Sequence, residues 1–346
     1  MRLGLLLRYS GNEGGLRMDL VEEAERLGYE SVWSSEAYGT DAVTPATWVL
    51  ARTTRIKAGT GIMQMPARTP ACAAMTAMSL QAMSNDRFLL GIGPSGPQVV
   101  EGWHGERYGK PLLRTKEYIE IIRKIFARAE PLVHKGEHYR IPYDGPGATG
   151  LGKPLKSIHK SAGGIKIYTA AIAPAGLRTA GEVADGVLPI FVNPEKADLV
   201  ANQVLDGMEA AGKPRSLENF DIAPFVRVAM GPDLQKCRDA LKPELALYIG
   251  GMGARSKNFY NDYARRLGYE EEAAKIQDAY LAGRKNEAIA FVPDALIDET
   301  ALVGPPDRIK ARLKDWKHGA SGNKIGTMLL GGVDAEAMRV IAEAIA

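Results

Sequence analysis

The chain has 346 residues, 45% hydrophobic and 25% charged, which is enough for one large core or two domains. Its net charge of +3 is small and its basic residues are spread along the sequence, so nothing asks for a nucleic-acid partner. Two cysteines, Cys72 and Cys237, without a C-x-x-C pair, argue against a disulfide framework or a cysteine zinc site and fit a reducing cytoplasm.

Residues 1–8 are too short an apolar run for a signal peptide, and no segment approaches the roughly 18 apolar residues of a membrane span. The expected location is therefore the cytoplasm. From there the chain alternates short β-type runs with helical patterns. Residues 3–7 predict a first strand, followed by a polar, glycine-rich loop over 9–15. Residues 16–27 are amphipathic, with Leu16, Leu20, Ala24 and Leu27 at helical spacing, and Gly28 stops them. Residues 31–33 predict strand two and 44–53 a helix. Residues 56–63 predict strand three and 70–83 a helix rich in Ala and Met. Residues 88–92 predict strand four and 113–127 its helix.

A Gly- and Pro-rich interruption covers about 131–164. Strand five follows at 165–171 with a helix over 175–184, strand six at 186–191 with a helix over 194–211, and strand seven at 222–229 with a helix over 233–247. A second interruption, about 250–305, is charged and helical. A helix over 306–316, strand eight at 325–330 and a helix over 334–345 close the chain. Eight strands, each followed by a helix, is the count of a (β/α)8 TIM barrel, here as one domain over 1–346 with two insertions.

The segment Gly91-x-Gly93-x-x-Gly96 has the letters of a dinucleotide-binding loop. In such a fold the glycines lie on the first strand-to-helix turn, with an acid roughly 20 residues on at the end of the second strand. Here three βα units precede the motif, Pro94 and Pro97 interrupt it, and Glu117 and Glu120 lie on a predicted helix. An NAD-linked reading is set aside. At a barrel strand end, glycine lets a flat ligand approach the backbone, although a tight turn without ligand is the ordinary cause of any one glycine. Strand three ends Gly59-Thr60-Gly61-Ile62-Met63-Gln64, and strand five leads to Ala171-Ile172-Ala173-Pro174-Ala175-Gly176. In a barrel these loops share the face that carries active sites.

At this point the chain resembles the bacterial-luciferase-like monooxygenase superfamily, in particular its coenzyme F420-dependent oxidoreductase branch. The residues that carry the resemblance are Gly28 to Trp33 with Glu36, Gly59 to Gln64 with Arg68-Thr69-Pro70, Arg87 to Gly93, Arg114 to Tyr118, Ala184-Asp185-Gly186 and Val303-Gly304-Pro305. It implies a deazaflavin, with FMN as the alternative, bound across the strand ends. It also implies a non-proline cis bond at Gly61-Ile62, with Met63 beside it, and Gly93, Ser95 and Gly96 along the ring and its side chain. Ala171, Ala173 and Gly176 would head a helix whose free N–H groups suit the cofactor's phosphate. Many relatives follow the acid after strand two with His, whereas this chain has Glu36-Ala37, so any proton from the protein must come from elsewhere.

Glu36 is a candidate to bond the deazaflavin or relay a proton, against a carboxylate pairing within its loop. His104, after Trp103 and close to the glycine loop, is the histidine to test as a proton donor, against an exposed loop residue. Tyr9 and Tyr38 are candidate pocket walls or phenolic donors. His134 and His138 have the spacing of a helical metal pair, but Gly136 between them favours a hairpin. Residues 255–284 read as helices packed on the barrel, against a basic lid for an anionic cofactor tail; Glu270, Glu271 and Glu272 favour packing. The small residues Ala73, Ala74 and Ala77, with Met75 and Met78, suit barrel contact or a homodimer face. The expectation is a hydride-transferring F420-dependent enzyme acting on a small-molecule substrate, with no nucleic-acid, membrane or metal partner. The rivals are an FMN-dependent monooxygenase and a non-catalytic flavin- or sugar-binding barrel.

Overall fold

A computed structural model describes residues 1–7, 15–160 and 164–346. Tyr9 and most of the loop predicted after the first strand lie outside the described residues. Among the described residues, nine strands of three or more residues, with the two-residue segments Met63–Gln64 and Asp221–Ile222, build a parallel sheet that curls on itself: β1 (Arg2–Leu6), β2 (Ser31–Ser34), β3 (Lys57–Thr60), β4 (Phe88–Gly93), β5 (Lys166–Ala170), β6 (Gly186–Leu188), β7 (Phe225–Met230), β8 (Ala301–Gly304) and β9 (Thr327–Gly331). β1 pairs with β2 on one side and with β9 on the other, and β9 pairs with β7. A bridge from Ile190 to Phe225, with Asp221–Ile222 paired to β6, brings the remaining edges together. This is the predicted barrel order with one strand more.

Proline explains two departures. The strand predicted over 186–191 stops at Leu188 because Pro189 has no N–H to donate, and the one predicted over 222–229 is split by Pro224. The extra strand, β8, lies at the end of the second insertion and pairs with the upper half of β7, Arg227 opposite Ala301 and Met230 opposite Gly304.

Helices α1 (Met18–Arg26), α2 (Val43–Arg52) and α3 (Pro70–Met83) follow the first three strands. The predicted helix stop at Gly28 has a cause, since its φ of +79° is open to glycine. Ala73, Ala74, Ala77 and Met78 of α3 are buried in the layer between sheet and helices, while Met75 is exposed. A short helix not anticipated from the sequence, α4 (Pro97–Gly102), precedes α5 (Pro111–Ala127). After β5 and β6 come α6 (Pro174–Val183) and α7 (Asp198–Ala210). α8 (Leu234–Ala246) follows β7, and the second insertion adds α9 (Phe259–Arg266), α10 (Glu270–Leu281), α11 (Lys285–Ala290) and α12 (Asp294–Thr300), before α13 (Pro306–Gly319) and α14 (Ala335–Ile345) finish the chain. These inserted helices have their own apolar core, which meets the barrel at Ile172 and Phe191. Packing, not a free basic lid, is what the segment shows.

In the first interruption, His134–Lys135 and Arg140–Ile141 form the antiparallel hairpin expected there. Its turn is held by Glu117, which reaches from α5 and accepts the backbone N–H groups of Glu137, His138 and Tyr139 at 2.9–3.0 Å. Gly136 is required because a methyl group on it would sit 2.2 Å from the Glu117 carboxylate.

The barrel interior is a packed plug. Leu6, Trp33, Leu89, Tyr168, Leu188, Ala223 and Leu329 fill it, with Ile62 and Phe225 against them. Trp33 packs edge-on against Tyr168 at 5.0 Å, and its indole N–H donates to Ser31 Oγ at 2.8 Å. Burial and the Asp221 carboxylate push the Tyr168 phenol well above its ordinary range, so it stays protonated and donates to Asp221.

Candidate functional site

Above this plug, at the C-terminal ends of β2, β3 and β4, the sequence candidates divide into scaffold and open mouth. β3 ends at Thr60, and pairing to β4 resumes only at Met63 and Gln64. The bond between, Gly61–Ile62, is cis. Its carbonyl is held, Gly61 O accepting from Ser35 Oγ at 2.8 Å, and the peptide bond before it is held too, Gly61 N donating to Ser34 O at 2.6 Å. Ile62 faces the barrel mouth above Phe225 and is half-buried. Met63 does not share this face. Strand alternation sends its side chain into the layer beneath the helices, fully buried, so only its backbone is available to a ligand.

The glycines have separate causes. A methyl group at Gly59 would meet the Trp33 ring at 2.6 Å. One at Gly91 would lie 1.8 Å from the carbonyl oxygen of Thr60. Both are packing glycines inside the barrel wall. Gly93 is different: the nearest atom to its missing methyl is the tip of Ile62, at 2.3 Å, so Gly93 borders the mouth. Ser95 turns the loop with φ +61°, and Gly96 is the residue before α4, where the carbonyl accepts from Val99 and Val100. Ala173 precedes α6, which starts at Pro174 without a side-chain cap, and Gly176 lies in its first turn, packed near Ala171.

Glu36 is buried among protein partners. Arg68 meets both of its oxygens, at 2.7 and 3.0 Å, and the backbone N–H groups of Ala42 and Gln64 donate to it at 2.9 and 3.1 Å. Its side chain is 7% exposed. The loop-pairing alternative describes this carboxylate: its acceptor sites are filled from the loop after β2, the segment after β3 and the turn that follows. Burial pulls the Arg68 pKa down, and its hydrogen bonds and charge pairing with Glu36 more than restore it, so the guanidinium stays charged. Removing either partner leaves a charge stranded; Glu36→Ala and Arg68→Ala are each expected to cost about 3 kcal/mol, and the double variant clearly less than their sum. Urea midpoints of the three variants measure this, and additive losses would show that the pair is not coupled.

His104 stands on the other side of the same strand end. Its Nε2 lies 2.7 Å from Gln64 Oε1, and Gln64 Nε2 donates to the carbonyl oxygens of Glu36 at 3.0 Å and Ala37 at 3.1 Å. Trp103 and Tyr38, 6.4 Å apart between rings, form an exposed aromatic wall next to it.

Three residues here were not singled out from the sequence. Gln64 is one. The others are Arg227 and Glu244, an ion pair at the barrel mouth. Val226 and Val228 face the helices while Phe225 faces the barrel axis, so Arg227 shares the inward side, in the room left by Gly331. The signal was present: a charged residue between two apolar ones in a barrel strand points to the axis.

The sequence pattern of the family described as "Luciferase-like monooxygenase" matches residues 12–322. The chain is 42% identical over 319 residues to "Putative coenzyme F420-dependent oxidoreductase Rv3520c" of Mycobacterium tuberculosis, covering 92% of each. It is 30% identical over 294 residues to 5,10-methylenetetrahydromethanopterin reductase of Methanolobus tindarius, covering 84% of this chain and 83% of that one. The solved structure of a coenzyme F420-dependent tetrahydromethanopterin reductase from Methanopyrus kandleri superposes with a TM-score of 0.78 at 21% identity, over 99% of this chain and 97% of that one.

Proposed function

Because the chain belongs to the luciferase-like monooxygenase family, we propose that it is an F420-dependent oxidoreductase that moves a hydride between the deazaflavin and a small organic substrate. What carries this reading is a relative 42% identical to this chain that is named for F420; the strand ends, an apolar surface beside an uncapped helix start, agree with a flat ring that has an anionic tail. Ile62, Gly93 and Phe225 offer an apolar, low-relief surface over a plugged barrel. Ala171, Ala173 and Gly176 lead into α6, where the N–H groups of Ala175 and Gly176 precede the first intrahelical bond, from Leu177 to Ala173, and no side chain caps them. A phosphate suits that end.

The deazaflavin would supply or accept the hydride at its ring carbon; the protein orients the ring and keeps water from it. Glu36 and Arg68 fix the β2 and β3 ends that carry Ser35, Gly61 and Ile62. Position 37 brings no imidazole, but His104 is tied to the Ala37 carbonyl through Gln64, and we assign it the proton that accompanies the hydride. A homodimer and a cytoplasmic location belong to the same reading. Met75 and Met83, exposed on α3, offer an apolar face for the first, and the free thiols Cys72 and Cys237 suit the second.

Titration of the purified protein with F420 and with FMN tests the assignment. Saturable quenching of F420 fluorescence with no response to FMN is expected. Binding of FMN with indifference to F420 would move the protein to the flavin-dependent monooxygenases, and binding without turnover on a panel of small aldehydes, ketones and enones would leave a cofactor-binding barrel.

A further inference from the structure

Gln64 is 1% exposed, and all three polar positions of its side chain are committed. Nε2 gives its two hydrogens to the Glu36 and Ala37 carbonyl oxygens, at 3.0 and 3.1 Å. A carbonyl oxygen cannot donate, so the amide cannot be turned over without setting oxygen against oxygen. Its Oε1 therefore faces His104 Nε2, at 2.7 Å. An amide oxygen only accepts. His104 Nε2 must carry a hydrogen, and Nδ1 is left as the nitrogen that gains and loses a proton.

We propose that Gln64 is a positioning residue that locks the His104 imidazole in its Nε2–H form and assigns proton transfer to Nδ1. The inference rests on the reading that His104 donates the proton. In the reductive direction the Nδ1–H bond of the imidazolium breaks, its proton forms the new bond to the substrate heteroatom, and a neutral Nε2–H imidazole remains. The hydride and its electron pair are the cofactor's contribution. Behind Gln64 the charged groups are Glu36, Asp41 and Arg68, from the β2 loop and the turn after β3; beside His104 are Glu101 near the end of α4 and Glu106 and Arg107 of its own loop. Glu36 thus acts at a distance: its backbone carbonyl orients the amide, and its carboxylate fixes the strand end that bears it.

The test is nitrogen-15 NMR of the full chain, without cofactor, labelled at histidine and titrated with pH; His104→Gln assigns the resonances. A single neutral tautomer protonated at Nε2 is expected in the unaltered protein. Gln64→Met is expected to release the ring into a mixture containing the Nδ1–H form, and, with F420 and a turned-over carbonyl compound, to lower kcat about tenfold with KM unchanged, the scale of one hydrogen bond. An Nδ1–H ring in the unaltered protein overturns the proposal, as does an unchanged tautomer in Gln64→Met. If that variant fails to fold, the spectrum of the unaltered protein decides alone. Undiminished kcat in His104→Gln would remove the proton-donor role while leaving the tautomer result standing, so the two failures are distinguishable.

Discussion

Gly91→Ala should yield no folded protein. The added methyl group would lie 1.8 Å from the Thr60 carbonyl oxygen and 3.0 Å from its carbon, and both belong to backbone that cannot turn aside. The same two residues are joined by the Thr60 hydroxyl, which accepts from Gly91 N at 3.0 Å and donates to Gly91 O at 2.7 Å. Relieving the clash would separate β3 from β4 and break this double contact in the middle of the barrel wall. A loss of more than about 5 kcal/mol is expected, comparable to the whole stability of many domains. Soluble yield and circular dichroism measure it, and a variant that melts within a few degrees of the unaltered protein would refute the packing argument. Gly93→Ala is the control. Its methyl group clashes with the end of the Ile62 side chain, which can change rotamer, and otherwise makes side-chain contacts no closer than 3.3 Å, so this variant should fold and lose affinity for the ring instead.

His104→Gln should lower kcat by at least roughly a hundredfold while leaving F420 affinity intact, since a positioned acid or base contributes on that scale. Glutamine can still donate to Gln64 Oε1, so the loop that carries residue 104 keeps its anchor. What it cannot do is carry and release a proton. The pH profile of kcat should therefore lose the limb that belongs to the imidazole. Rates with reduced F420 and a small carbonyl compound, beside a fluorescence titration of the cofactor, separate the two quantities. Equal kcat at every pH would eliminate His104 from the chemistry.

Much of the barrel was legible because its signals are local. Each strand is short, apolar and bounded, and each helix repeats its apolar residues at helical spacing. β8 escaped because it is only four residues, Ala301–Gly304, at the end of a charged helical stretch. The site was less legible, because its roles are set by partners far apart in sequence. Nothing near Glu36 announces Arg68, 32 residues on, or shows that the carboxylate is filled from several sides. Gln64 reads as one polar residue after a glycine run until the carbonyls of Glu36 and Ala37 and the ring of His104 surround it. The glycine pattern itself merges two causes that spacing cannot separate: Gly91 is fixed by a neighbouring strand, and Gly93 borders the mouth.

The plug beneath the site also provides an optical probe. Of four tryptophans, Trp48 and Trp103 are exposed, and Trp316 is buried under the helices. Trp33 alone lies on the barrel axis, its ring edge 3.4 Å from where a methyl group on Gly61 would be. A chromophore stacked on Ile62 would therefore rest one layer above an indole shielded from water. Its arrival can be followed by excitation transfer from that indole, in a protein carrying phenylalanine at 48, 103 and 316, with no label attached and no substrate known.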